Sequence, residues 1–461
     1  MLKRIENWLF YIFLFSIPIS TRYIFGYQPF NYIEWTAKYI YAIDVLLLIL
    51  FLFWFEATVW SDYGTTQAGA GMVSAKADER RPSQRQKFLA GKFYGVPVIG
   101  LDWSSIFLLA FVAVAGISIK NAMDVGTAWF RFAKLVEFVL LYFYVKNYAL
   151  KRFDLSHCFT ALVLGGLFQS VIAIPQFMLQ SSLGLKWLGE SYLAPAMSGI
   201  AAFYVNGVKI MRAYGTTPHS NVLAAYFFIA LGAFYSIAIY QKRRWWWFAA
   251  HALTLWAFLL TFSRVILGIW ILNFLARIFL IRYSKFKKEF YEDPEMRRRS
   301  LKIFWTTIAV GVVFLVVYWP YVASRAALSG TDQAVQLRVY YNHESLVSAH
   351  NLFGLGMGNF VPWLMSQDQH LSSDLYQPVH NIYLLIYSET GIVGISLFLL
   401  FLVFLLYDYW KKLGFKKLYH FSFGLIVCSI LIFGLFDHYL WDIQSGQMIF
   451  WLSLGLLAGA Q

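Results

Sequence analysis

The stretch QPVHNIYLLIYSETGIVGISLFLLFLVFLL, Gln377 to Leu406, decides the class of this chain. From Ile382 onward it is almost unbroken oil. It is longer than the ~20 apolar residues that cross a bilayer. Yet it opens on Pro378, His380 and Asn381, a proline, an imidazole and an amide. A helix in lipid satisfies its own backbone, so polar groups at its start need a separate reason.

The rest of the chain repeats the apolar theme. Of 461 residues, 59% are hydrophobic and only 13% charged, and the mean hydropathy is +0.57. A soluble protein of this length needs more charge on its surface. The sequence predicts an all-α polytopic integral membrane protein of about twelve spans, a count read from the apolar runs. They lie at 7–25, 36–55, 103–119, 128–149, 157–178, 220–240, 244–262, 264–282, 301–319, 380–407, 418–436 and 445–460. The first follows Met1-Leu-Lys-Arg without a small-residue cleavage site, which reads as a signal anchor. Cys158 and Cys428 sit in separate apolar runs and suggest neither a disulfide nor a metal motif.

The net charge of +14 might point to nucleic acid in a soluble chain, but here it is gathered in short segments between spans. Lys242–Arg244, Lys285–Lys288, Arg297–Ser300 and Lys411–Lys417 are such segments, and they mark a cytoplasmic membrane face. An even span count places all of them inside with both chain ends. The Trp and Tyr residues read as interfacial belts, as in Trp245–Phe248 beside Lys242–Arg244. Residues 57–102, polar and rich in Gly, Ser and Ala, read as a flexible cytoplasmic loop or a plain solvated linker. Residues 180–219 leave room for a re-entrant segment. Residues 320–379 form a long outer loop. The chain divides into an amino-terminal bundle, 1–178, and a catalytic membrane region, 179–461.

Polar residues collect where spans meet the outer boundary. RAYGTTPHSNVLAAYF (Arg212–Phe227), TFSRVILG (Thr261–Gly268) and QPVHNIYLL (Gln377–Leu385) each lead into a helix that runs inward. Ser220 and Ser263 are the natural N-caps of the first two. Amino ends carry free N–H groups and partial positive charge. Arg264 in a first helical turn is misplaced unless an anion sits beside it. Helix amino ends and guanidinium forks both bind phosphate. Arg338, Arg325 and Arg212 add charge, so the residues describe a cationic pocket for a lipid-linked phosphate or pyrophosphate. His380, at another amino end, should stay neutral and can accept a proton from an attacking hydroxyl. Pro378 would aim it.

Plainer readings stand beside these. Interfacial arginines such as Arg212, Arg325 and Arg131 also snorkel to head groups. Asp437 and His438, in the turn Gly434–Gln447, either orient His380, contact a sugar, or are simply wet. Arg131, Lys134 and Glu137 share one helix face, where the last two also suit a mutual ion pair. The spacing of His343, His350 and His370 fits no metal motif.

These residues resemble a family, the O-antigen ligases and related polymerases of lipid-linked oligosaccharides. The resemblance rests on GTTPHSNVLAAY, TFSR, an arginine-bearing loop with GLGMGNF, and HNIYLLIYSETGIVGISLF, in that order from Arg212 to Phe398. The last run is the most specific. The resemblance implies a helical glycosyltransferase of the C superfamily in the bacterial inner membrane, its site facing outward. The implied donor is a glycan on undecaprenyl pyrophosphate. The implied acceptor is a glycolipid or protein hydroxyl for a ligase, or another carrier-linked repeat for a polymerase. Carried over by position, Arg264 and Arg338 would bind the pyrophosphate, and His380 would be the base or would hold the acceptor. Arg212, His219, Asn221, Arg325, Asn381, Asp437 and His438 contact substrate. No metal or cofactor is implied; membrane lipids and other glycan-assembly proteins are the remaining partners. A transporter or flippase is the rival of another class. It would place its charges near the membrane midplane.

Overall fold

The computed structural model describes residues 2–26, 33–68, 102–283, 291–326, 333–348, 351–414 and 416–460. Each expected span holds a helix. The first half runs α1 (Leu2–Ser16), β1 (Arg22–Gly26), β2 (Lys38–Tyr41), α2 (Ala42–Ala68), α3 (Trp103–Ser118), α4 (Val125–Tyr144) and α5 (Leu155–Leu179). Then come β3 (Ala202–Val205), β4 (Val208–Met211), α6 (Ser220–Tyr240), α7 (Trp245–Leu260) and α8 (Arg264–Tyr283). The remainder is α9 (Pro294–Ala326), α10 (Gln333–Ser348), α11 (Phe360–Gln367), α12 (Ile382–Tyr409), α13 (Leu418–Phe433), α14 (Tyr439–Asp442) and α15 (Gln444–Gly459). Aspartates cap three of the early helices: Asp102, Asp124 and Asp154 each accept a hydrogen bond from the backbone N–H three residues on.

Among the described residues, five stretches are long and apolar enough to cross a membrane: Trp103–Asn121, Leu155–Leu179, Ser220–Tyr240, Pro294–Ala326 and Ile382–Gly414. The helices α7 and α13 are apolar but only 16 residues long, while α4 carries Arg131, Lys134 and Glu137. The full count of about twelve stays an expectation.

Several boundaries differ from the sequence reading. The chain is not all-α, since β1–β2 and β3–β4 form two antiparallel hairpins. The second turns on Asn206 and Gly207, both with positive φ, the pairing a two-residue hairpin loop demands. The first hairpin shortens the expected opening span, which ends at Ser16. Helix α2 continues to Ala68, into the expected cytoplasmic loop; residues 69–101 of that loop lie outside the described residues. The 180–219 segment holds a single turn, Lys186–Leu188, and the second hairpin rather than a re-entrant helix. The expected outer loop is partly helical. Helix α9 kinks at Tyr318, just before Pro320, and runs on to Ala326, and α10 and α11 follow.

Helix α6 is the central post: 83% of its apolar window is buried, against 17% for α9 at the rim. Two aromatic pairs, Phe107–Phe404 and Phe111–Phe398, each with centroids 5.2 Å apart, couple α3 to α12. One end of the bundle gathers the starts of α6, α8 and α12 and the finishes of α7, α9 and α13. There the N–H of Ala213 donates to Leu260 O, Arg325 Nε to Phe262 O, and the N–H of Ile382 to Gly434 O. The basic clusters at 242–244, 297–299 and 411–417 fall at the other ends of their helices.

The most specific run of the sequence turns out to be a joint. Helix α12 breaks at Gly391 (φ 69°, ψ −173°). The carbonyls of Ser388 and Glu389 accept instead from the N–H groups of Leu355 and Gly356, at 2.8 and 2.9 Å. Gly354, Gly356 and Gly358 of GLGMG all have positive φ. A Cβ on Gly354 would lie 2.5 Å from Glu389 backbone carbon, and one on Gly391 would lie 2.2 Å from Leu352 O. Only glycine reaches these angles cheaply, the usual penalty being about 1–3 kcal/mol before any clash. Gly391→Ala is therefore expected to lower the melting temperature of the detergent-solubilised protein clearly. Gly268→Ala, whose Cβ meets nothing within 4 Å, is expected to leave it unchanged or raise it slightly. Equal melting of the two variants would refute the joint.

Candidate functional site

The site forms where those helix ends meet. Arg212 follows β4 and is buried at 4% exposure. Its Nε donates to Thr261 O and its second terminal nitrogen to Asn221 Oδ1, both at 2.5 Å. Asn221 Nδ2 in turn donates to Asp437 Oδ2 at 2.6 Å. Burial, reinforced by the neighbouring Arg325 guanidinium, pulls the pKa of Arg212 down to about 9. Arg212 thus does not snorkel to lipid: it is tied into the protein, with Asn221 bridging it to Asp437.

The cap of α6 is His219, not Ser220 as the sequence suggested. His219 is extended, and its Nδ1 accepts from the N–H of Asn221 at 3.1 Å. The imidazole one position earlier outreaches the serine, whose Oγ is buried without a partner among the described residues. An accepting Nδ1 must be unprotonated. Burial holds the pKa of His219 down to about 4, opposed by Asp437 and helped by Arg212. Asn381 is also a cap. Its Oδ1 accepts from the N–H groups of Tyr383 and Leu384, at 2.9 and 3.3 Å. Its side-chain oxygen thus starts α12.

His380 stands just ahead of that cap. Its ring lies parallel to Tyr341 of α10, centroids 5.9 Å apart, and perpendicular to His438 at 4.8 Å. Its Nδ1 is buried with no hydrogen-bond partner among the described residues. Burial first, then the charge of His438, holds its pKa far below that of an ordinary histidine. Arg338, on α10, makes no hydrogen bond or ion pair with another described residue, yet its charge acts on both His219 and His380. Arg264 and Arg325 both act electrostatically on Arg212. They flank the TFSR turn, where Phe262 is forced to φ 44° and its carbonyl accepts from Arg325 Nε at 3.2 Å. A non-glycine residue held there is local strain. Arg264, Arg338, Arg325, Arg212, His219, Asn221, His380, Asp437 and His438 are therefore neighbours in one site.

Three participants carried little sequence signal. Asp442 Oδ1 pairs with His438 Nδ1 at 2.8 Å; its spacing of four residues from His438 was the available clue. Trp35 sets its indole against the His438 ring at 4.9 Å, and Tyr341 backs His380. Neither pairing leaves a pattern in the sequence. Behind them a pocket is lined by Trp35, Arg131, Glu389, Trp441, Asp442 and Gln447, among others. Arg131 is fixed there by Asp442 O and Trp35 O, at 2.8 and 3.1 Å. Lys134 pairs with Glu137 at 2.9 Å and also with Asp44.

His343 and His370 are exposed and bond locally, His343 to Glu344 and the His370 N–H to Asp368; His350 lies outside the described residues. His380, Asp437 and His438 bring one nitrogen or oxygen each within 4.8 Å of one another. Two of the three are already engaged, His438 through Nδ1 by Asp442 and Asp437 by Asn221 and the His438 N–H. With the arginines alongside, the chemistry suits an anion better than a cation.

Residues 249–399 match the family model described as O-Antigen ligase. No curated protein matches the chain. The matched region names the same family as the resemblance read from the sequence. It contains Arg264, Arg325, Arg338, His380 and Asn381, while Arg212, His219, Asn221, Asp437 and His438 complete the site from outside it.

The His219 cap has a pH signature. Between about 6.5, an ordinary histidine value, and about 4, the unfolded chain binds a proton that the folded one does not. Stability is then fully present above the upper value and falls as pH drops through this window. His219→Asn keeps a capping oxygen without titrating and is expected to flatten that slope in melts of the solubilised protein. An unchanged slope would assign the loss elsewhere.

Proposed function

We propose that this membrane protein transfers a glycan from a polyprenyl-pyrophosphate carrier, as an undecaprenyl-linked donor would present it, to an acceptor hydroxyl. The site would face outward from the inner membrane. The placement of the described basic clusters at the far ends of α6, α9 and α12 supports that orientation. One observation carries the reading: a buried imidazole, His380, its Nδ1 without a partner among the described residues, stands just ahead of a helix start within the influence of a guanidinium, Arg338. A transporter would be expected to place its charges midway along its helices instead.

In the proposed reaction Arg264 and Arg338 grip the diphosphate. The acceptor hydroxyl passes its proton to His380 and its oxygen bonds the anomeric carbon. The bond from that carbon to the phosphate oxygen breaks, and the carrier pyrophosphate leaves with the electron pair. Its charge grows in the transition state, where the guanidiniums stabilise it most. The activated bond supplies the driving force, so the scheme uses no metal and no nucleotide. Joining a second carrier-linked repeat would use the same steps with a different acceptor.

With purified protein and a lipid-linked donor, His380→Ala is expected to bind donor but transfer it about 10²- to 10⁴-fold more slowly. Transfer at the full rate would reject the base role. Arg264→Ala is expected to weaken donor capture. Arg264→Lys should restore it only in part, since an ammonium cannot fork two oxygens; complete rescue would remove the fork from the scheme.

A further inference from the structure

His438 is enclosed on both sides by carboxylates. Asp442 Oδ1 is 2.8 Å from its Nδ1, and Asp437 Oδ1 is 3.9 Å from its Nε2, within ion-pair range. A neutral imidazole has one N–H and would turn a lone pair toward one of these oxygens. Two protons satisfy both. Asp437 is placed independently of the ring, held by Asn221 and by the His438 backbone N–H. Asp442 Oδ1 meets the ring, and its Oδ2 is buried with no hydrogen-bond partner among the described residues. A buried carboxylate lacking further donors needs a cation beside it.

The charges around the ring point the same way. Arg131, from α4, approaches on the Asp442 side and opposes protonation, but its guanidinium donates to carbonyls. Trp35 offers only its indole face and edge. His380 makes a perpendicular contact at 4.8 Å. Arg338, Arg212 and His219 complete the neighbourhood of His380 and Asp437. Burial opposes charge on His438, yet Asp442 and then Asp437 outweigh it and raise its pKa.

We propose that His438 is a standing imidazolium, clamped by Asp442 and Asp437, whose charge keeps the neighbouring His380 in its neutral, proton-accepting form. In this proposal His438 is a positioning residue that acts through His380. The proposal rests on the base role given to His380. Without the charge, burial alone would restrain His380, and its protonation would move toward the physiological range.

Selective ¹⁵N-histidine NMR of the full chain in detergent reads this without turnover. At pH 7 the wild type should show His438 protonated on both nitrogens and His380 on one. A neutral His438, or a charged His380, would overturn the proposal. In His438→Gln and Asp442→Asn, the His380 titration midpoint should rise by about one pH unit or more. An unmoved or lowered midpoint in a folded variant would also overturn it; a merely structural role would not move the midpoint. If the spectra come out as expected while His380→Ala transfers fully, the base reading fails and the charge pair stands. Reversed spectra with an inactive His380→Ala would mean the opposite.

Discussion

Burial holds the imidazoles of this site unprotonated, and the positive charges around them add to that effect. In the proposed reaction a pocket for a diphosphate needs cations, while a base beside it must hold no proton before the acceptor arrives. One set of charges would serve both demands. Arg338 acts on His380 and His219, and Arg264 and Arg325 act on Arg212. His438 adds to the pressure from 4.8 Å away. The scaffold tolerates so much like charge because Asp437 and Asp442 are embedded within it. Asp437 is held well below the usual carboxylate range, burial being outweighed by the histidines around it and by Asn221.

The fold was legible wherever apolar length decided it. Helix α6 spans Ser220–Tyr240, the same limits its hydropathy gave, because an uninterrupted apolar run admits one reading in lipid. The two hairpins were missed because strands of four or five residues give almost no periodicity, although Asn206-Gly207 was a readable turn. At the site, Arg264 and His380 announced themselves by being polar where helices begin, and Arg338 by its charge in the long outer loop. Their convergence was a guess about three-dimensional order that no spacing encodes. Capping was misread once. Ser220 yielded to His219 because cap preference describes an average helix start, whereas this start lies in a buried polar network. Asn381, read as a substrate contact, also caps α12 through its side-chain oxygen.

The sequence run that resembles a family most closely also does structural work. Its glycines let the GLGMG loop lie against the opened turn of α12, and Asn359 fastens the same loop to Asp124 ahead of α4, with Asp124 N–H donating to Asn359 Oδ1 at 2.7 Å. Asn121 Nδ2 adds a bond to Gly354 O at 2.9 Å. The break at Gly391 lies about three turns beyond His380, which stands just ahead of the same helix, so the joint fixes the segment that follows His380. It also opens the backbone beside Glu389, whose carboxylate accepts from the Trp441 indole at 3.2 Å, next to Asp442. Glycine chemistry in the middle of a helix thus reaches the neighbour of Asp442 through one carboxylate and one indole.

A histidine held this far below its ordinary pKa is a weak base, which at first weakens its candidacy. The donor changes that balance. A diphosphate seated against Arg264 and Arg338 would offset the charge that suppresses His380, raising its affinity for a proton when a hydroxyl is to be activated. In the empty site the same imidazole stays unprotonated and does not add a further cation to a pocket already crowded with them. Basicity that rises with donor occupancy would tie proton transfer to the presence of something to transfer, with no moving part beyond the arrival of negative charge. That link requires the suppressing charges to lie within reach of the diphosphate, which is the arrangement that arginines from α8 and α10 and the imidazole ahead of α12 make at one end of the bundle.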